Sequence, residues 1–199
     1  MGPQTVPNGE HFSFLRDVPS LEGLPITGQL KAAFGFVPNF FLAQAARPDL
    51  IDSEVHLIGS ILMKEGALTR QQKEYIFIVC SAANLSTYCL TAHCEIVRML
   101  GIDGPEPEQI AVDHSATNLP IPTKALLNFA LKLNNHAKQV TGDDIDALRT
   151  YGFGDRQILE AVLMVALTNF ATFISFGLGT VTEFDTDKIA FPPPALARP

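Results

Sequence analysis

Residues 69–101 constrain this chain more than any other stretch. They open on Thr69-Arg70-Gln71-Gln72, a capping box in which Thr69 caps and Gln72 reaches back. The helix so started is expected to run to about Ala83. Over residues 75–80 it is apolar on every side, so it has to be enclosed by other elements rather than lie half in water. Asn84-Leu85 makes a short turn, and Ser86 is placed to cap a second helix that ends near Gly101. Two helices joined this tightly pack as an antiparallel hairpin.

The rest of the chain supplies more helices and no convincing strand pattern, which predicts an all-α fold around a central buried hairpin. Residues 30–46 have helical potential broken near Pro38, with Asn39 as a cap for 40–46. Residues 48–64 carry an apolar face of Leu50, Ile51, Val55, Ile58, Ile61 and Leu62. Short and medium helices are expected over 106–112 and 123–134. Thr141 caps another, with Asp143 and Asp144 favouring its N-terminal dipole, and the longest runs from Asp155 to about Gly177. A length of 199 residues suits one sizeable core. The organisation expected is an N-terminal arm over 1–29, a helical domain over 30–185 and a Pro-rich tail over 186–199 placed to pack on a partner. A weak internal echo links Glu74 and Asn84 to Glu160 and Asn169, each pair preceded by Arg-Gln; a decayed repeat and coincidence fit it equally.

Residues 161–179 are nearly free of charge and long enough to span a bilayer. Thr168, Asn169, Thr172 and Ser175 interrupt them, and acidic flanks give no positive-inside pattern, so a buried helix or a subunit interface is the better reading. A net charge of −7 argues against nucleic acid or an anionic membrane as partner. Three cysteines, Cys80, Cys89 and Cys94, do not make a secreted disulfide framework. The start lacks a signal-peptide pattern, and a reducing, cytoplasmic setting is expected. No His or Cys pair has the spacing of a structural zinc site, and neither a Gly-rich phosphate loop nor a Gly-x-Ser-x-Gly elbow is present, so no metal or cofactor is called.

The chemistry concentrates on the second helix of the hairpin. With Ser86 as N-cap, Cys89 falls in the first turn, where the helix dipole can lower the thiol pKa from its free value of ~8.5. His93 lies one turn on along the same face, able to exchange a proton with the thiol directly or through one water. Glu74 borders the apolar run of the preceding helix, and a carboxylate entering a core needs a partner; His93 is the natural one, held by Glu74 in the tautomer that accepts the thiol proton. Spacing alone also fits a packing role for the thiol and a solvated Glu74. Cys94 sits about 140° round the helix from Cys89, a poor geometry for a bridge, and Cys80 lies in the buried run. His56, among Val55, Leu57 and Ile58, is placed on the pocket wall or a helix face, whereas His11, His114 and His136 fall in polar stretches and are expected to be solvated.

These residues carry a resemblance. Glu74, then Asn84-x-Ser86-x-Tyr88-Cys89-x-x-x-His93 and Gly101, is similar to the signature of the carboxymuconolactone decarboxylase / alkylhydroperoxidase D (AhpD)-like superfamily, in particular its peroxidase-related branch. It extends from Gly35-Phe36-Val37-Pro38-Asn39 through Pro48 and Leu68-Thr69 to Asp144, Leu148, Gly152 and Asn169. The resemblance implies an all-α fold assembling into dimers, trimers or hexamers, and a small-molecule substrate reduced with the help of a thiol reductant. In the peroxidase members a Cys-x-x-Cys pair does the chemistry; by motif position Cys89 matches the attacking cysteine, Glu74 and His93 the proton relay, and Ser86 the other cysteine. Tyr88 and His56 are the substrate-binding candidates. Ser86 departs from the pattern, so a sulfenic acid on Cys89 would need Cys94, Cys80 or an external thiol. Thr172-Phe173 departs too, where related chains often carry Asn-Arg, and is expected to make the pocket more apolar. The function expected is a thiol-dependent alkylhydroperoxidase-like oxidoreductase; the alternatives are a lyase acting on a carboxylated lactone, for which Arg98 is the nearest cation, and a non-catalytic binding protein of the same fold.

Overall fold

The computed structural model of the protein describes residues 12–189 and 191–192. The first eleven residues of the N-terminal arm, His11 among them, and most of the Pro-rich tail lie outside the described residues. Within them the chain is helical, with no strand. The order is α1 Pro25–Phe34, α2 Asn39–Leu42, α3 Pro48–Ile58, α4 Arg70–Ala83, α5 Thr87–Met99, α6 Pro107–Asp113, α7 Ile121–His136, α8 Gly142–Thr150 and α9 Asp155–Leu178. A π-helical turn, Gly59–Met63, extends α3. The boundary expected at residue 29 falls inside α1, whose Pro25 takes the first helical position where its missing N–H costs nothing. Asn39 is no cap: it opens α2 itself, and its side-chain amide donates to Val181 O at 3.0 Å.

α4 is the axis of the molecule and packs against α5, α6, α7 and α9. Every residue from Lys73 to Ala82 is buried, which the all-round apolar run requires. The capping box forms as read: Gln72 N donates to Thr69 Oγ1 at 3.2 Å, and Thr69 N donates to Gln72 Oε1 at 3.0 Å. The hairpin turn is a Schellman motif, with Ser86 N donating to Ser81 O and Leu85 N to Ala82 O. Its left-handed position, usually glycine, is occupied by Leu85 at φ 57°.

Two partly buried polar clusters tie the helices together. Lys73 Nζ, enclosed in the core, donates to Lys64 O and pairs with Glu160 of α9 at 3.4 Å. Glu160 in turn accepts from the amides of Ala67 and Leu68, clamping the loop before α4. The side chains of Asn84, Asn134 and Asn169 form a closed ring of amide hydrogen bonds joining the hairpin turn to α7 and α9. The echo seen in the sequence therefore brings its two asparagines into contact, while Glu160 and Glu74 hold different parts of the fold.

α9 meets the length and apolarity of a membrane span. One of its faces is packed on α4, α5 and α7, with Thr168, Thr172 and Ser175 buried there. Gly179 ends it in the left-handed conformation, and a Cβ at that position would run into the Phe14 ring. The chain then returns across α2 and α5: Thr182 Oγ1 lies 2.8 Å from Thr91 Oγ1, and Glu183 accepts from the Asn39 amide.

Candidate active site

The hairpin places Glu74, Cys89 and His93 together because α4 and α5 run antiparallel with their inner faces in contact. Glu74 is fully buried one turn into α4. Its Oε2 receives His93 Nδ1 at 2.6 Å, and its Oε1 receives the Arg70 guanidinium at 2.6 Å from one turn earlier in α4. Burial pushes the Glu74 carboxyl up, but His93 and Arg70 outweigh it and hold the group below its ordinary range. With Glu74 ionised, Nδ1–H of His93 donates to it and Nε2 is left as a base. The imidazole is further fixed by stacking on Phe77, ring centroids 3.5 Å apart.

Cys89 and His93 share the wall of one cavity of about 170 Å³, together with Arg70 and Tyr88. No direct hydrogen bond joins the sulfur to the imidazole; its partners come from α9, with Ser175 Oγ at 3.7 Å and Thr172 Oγ1 at 3.9 Å. Burial pushes the Cys89 thiol up, against the smaller pull of the Ser86, Ser175 and Thr172 hydroxyls. The expectation of a lowered thiol pKa from the helix dipole is thus corrected: Cys89 does occupy the first turn of α5, but it is buried, and desolvation exceeds the dipole. Ser86 is the N-cap by position, yet its hydroxyl makes no capping bond and no hydrogen bond of normal geometry; it faces the sulfur closely enough to favour the anion.

Tyr88 is buried on the cavity wall. Its hydroxyl accepts from Phe40 N and donates to Glu183 Oε1, both at 3.1 Å. Most of the remaining wall is phenyl and aliphatic, including Phe40, Phe41, Phe77 and Ile58. His56 is exposed on the outer face of α3 and is not among the lining residues. Phe173 is 72% exposed and faces away from the cavity, while Thr172 presents its hydroxyl to Cys89, so this pair does not make the pocket more apolar in the way expected. Arg98 is occupied by Glu95 and Glu108 on the outer side of α5. His114 is buried against Asn128 rather than solvated. Cys80 and Cys94 are free and buried, and burial pushes Cys94 up to about 12, with Glu108 adding to the rise. Neither makes a disulfide with Cys89.

Two wall residues escaped the sequence reading. Arg70 was legible, since it stands four residues before Glu74 on one helix, the spacing of an ion pair. Glu54 was not: nothing in Asp52-Ser53-Glu54-Val55 separates it from a solvated carboxylate. Among the described residues no group of His, Cys, Asp and Glu side chains is arranged to hold a metal ion.

No family model and no curated protein matches the sequence. Solved structures do. A protein from Ralstonia eutropha JMP134, described as an alkylhydroperoxidase AhpD core and an uncharacterized peroxidase-related protein, is 28% identical; the match covers 92% of this chain and 97% of that one with a TM-score of 0.80. An uncharacterized peroxidase-related protein from Silicibacter sp. TM1040 is 24% identical, with 87% and 93% covered and a TM-score of 0.79. A cysteine-to-alanine form of the debrominase Bmp8 in complex with 2,3,4-tribromopyrrole is 19% identical, with 88% and 92% covered and a TM-score of 0.70. A buried helical hairpin within an all-helical bundle thus defines the class: the chain is AhpD-like in fold along nearly its whole length. Two of the solved structures similar to it in that fold are described as peroxidase-related proteins.

Proposed function

We propose that this protein is a thiol-dependent oxidoreductase of the alkylhydroperoxidase type, using Cys89 with His93 and Glu74 as its proton relay. The observation that supports it is the shared cavity, whose wall holds both a thiol and an imidazole with one ring nitrogen fixed by a buried carboxylate. His93 Nε2 takes the thiol proton, directly or through a water. The Cys89 sulfur attacks the distal oxygen of a hydroperoxide; an S–O bond forms, the O–O bond breaks, and the alkoxide leaves with the proton returned by His93. Cys89 is left as a sulfenic acid. With Ser86 in place of a second cysteine, two equivalents of an external thiol return it to the thiol, releasing water and a disulfide. The raised thiol pKa makes the base necessary, since little thiolate forms unaided.

The assay is consumption of cumene hydroperoxide with a small dithiol as reductant, alongside trapping of a sulfenic acid at Cys89. Turnover lost in Cys89→Ser and reduced about 10²-fold in His93→Ala supports the relay; no turnover and no trapped sulfenic acid in the wild type rejects it. A second reading, a binding protein that kept the cavity without the redox step, draws support from the upward push on the Cys89 thiol. The lyase reading is weaker, because the cavity's arginine, Arg70, is already committed to Glu74. The same reading includes a cytoplasmic homo-oligomer that acts on a small molecule and engages neither nucleic acid nor membrane.

A further inference from the structure

The cavity contains a second carboxyl that the Glu74–His93–Cys89 line does not use. Glu54 of α3 lines it and is 5% exposed. Its Oε2 accepts from Gln44 Nε2 at 3.0 Å, while its Oε1 is buried with no partner among the described residues. A buried acceptor left open is unfavourable, and the neighbouring wall residues Phe41, Ile58 and Leu62 offer nothing to close it. Among the described residues no cation pairs with Glu54; Arg70 on the same wall is taken by Glu74. Burial lifts the Glu54 carboxyl to about 7 against the pull of Gln44, so near neutral pH it can either donate or accept. The other ionisable groups on the wall, Arg70, His93, Cys89 and Tyr88, come from α4 and α5.

We propose that Glu54 is a substrate-anchoring residue, whose free Oε1 binds the hydroxyl or N–H of a small, ring-sized apolar molecule held in the Cys89 cavity. The volume suits such a ligand: an apolar protein cavity of ~150 Å³ accepts benzene, and this one measures about 170 Å³. A phenyl-lined wall selects the ring, and a single buried carboxyl selects which end of it is polar. The inference rests on the reading of this cavity as a substrate site, but not on Cys89 turning over.

The experiment is an NMR titration of the intact protein with phenol and with benzene. An apolar cavity with no partner for the hydroxyl disfavours phenol; with Glu54 available, phenol binds at least about fivefold tighter than benzene. Glu54→Leu lowers phenol affinity about tenfold and keeps benzene binding, which also shows that the cavity has survived. Glu54→Gln retains the preference for phenol, because its amide still donates and accepts. Phenol binding no tighter than benzene in the wild type, a preference that persists in Glu54→Leu, or failure of both probes to bind would each overturn the proposal. Hydroperoxide turnover separates the two claims: phenol preference without turnover sinks the thiol chemistry alone, and turnover without phenol preference sinks the role of Glu54 alone.

Discussion

Cys89 and Glu54 are shifted by the same cause, burial in a phenyl-lined cavity, with opposite consequences for reactivity. The thiol becomes a poorer nucleophile on its own, and the carboxyl becomes an acid that is half protonated near neutral pH. For Cys89, carbamidomethylation by iodoacetamide should keep accelerating beyond pH 9. Thr172→Val and Ser175→Ala remove hydroxyls that favour the anion, so each slows alkylation at pH 8 severalfold; mass spectrometry of the Cys89 peptide reads this, and an unchanged rate would show that the hydroxyls do not touch the thiolate. For Glu54, the unfolded carboxyl ionises near 4.5 and the folded one at about 7. Between those values the native state holds the extra proton, so this residue's contribution to stability is lost as pH rises through the window and stays flat above it. Urea denaturation of Glu54→Gln should therefore show a gain over wild type that grows from pH 4.5 to pH 7, on the order of 3 kcal/mol. A difference independent of pH would mean that Glu54 is solvated.

At the scale of elements, the α4–α5 hairpin decides the site, and its turn is strained at one position. Leu85 occupies a left-handed conformation that costs an L-residue with a side chain roughly 1–2 kcal/mol, and its side chain is exposed and packs little. Leu85→Gly should raise stability by about 0.5–1 kcal/mol, less than the full strain because glycine also loosens the unfolded chain; thermal unfolding checks it. At the other end of α4, Thr69→Ala opens the capping box and should lower stability by about 1 kcal/mol. The capping box, the enclosed run and the short turn were all legible as sequence, because each depends on residues within one or two helical turns. The Leu85 conformation was not, since the expected signal at that position is glycine.

At the scale of the whole molecule, one side of α9 is packed and the other carries Leu159, Leu163, Phe170, Phe173 and Phe176 exposed at helical spacing. A contiguous apolar stripe of this kind on a chain of net charge −7 is the surface a second copy would cover in the proposed homo-oligomer. Phe173→Asp should move the protein to a smaller species in sedimentation velocity, with its far-UV circular dichroism unchanged. A wild type that already sediments as a monomer would remove the oligomer from the reading.

Local rules act over one or two turns, and they are what the sequence by itself determined: all-helical content, the buried hairpin, and the spacing that puts Cys89 and His93 on one face. Only the tertiary structure decided the environment of those groups. It brought His93 to the oxygen of Glu74 that Arg70 leaves open, set the hydroxyls of Thr172 and Ser175 against the sulfur from 83 and 86 residues away, and placed His56 in solvent and Glu54 in the cavity. The physical reason is that pKa and hydrogen-bond satisfaction depend on what encloses a group, and enclosure is contributed by helices far apart in the chain.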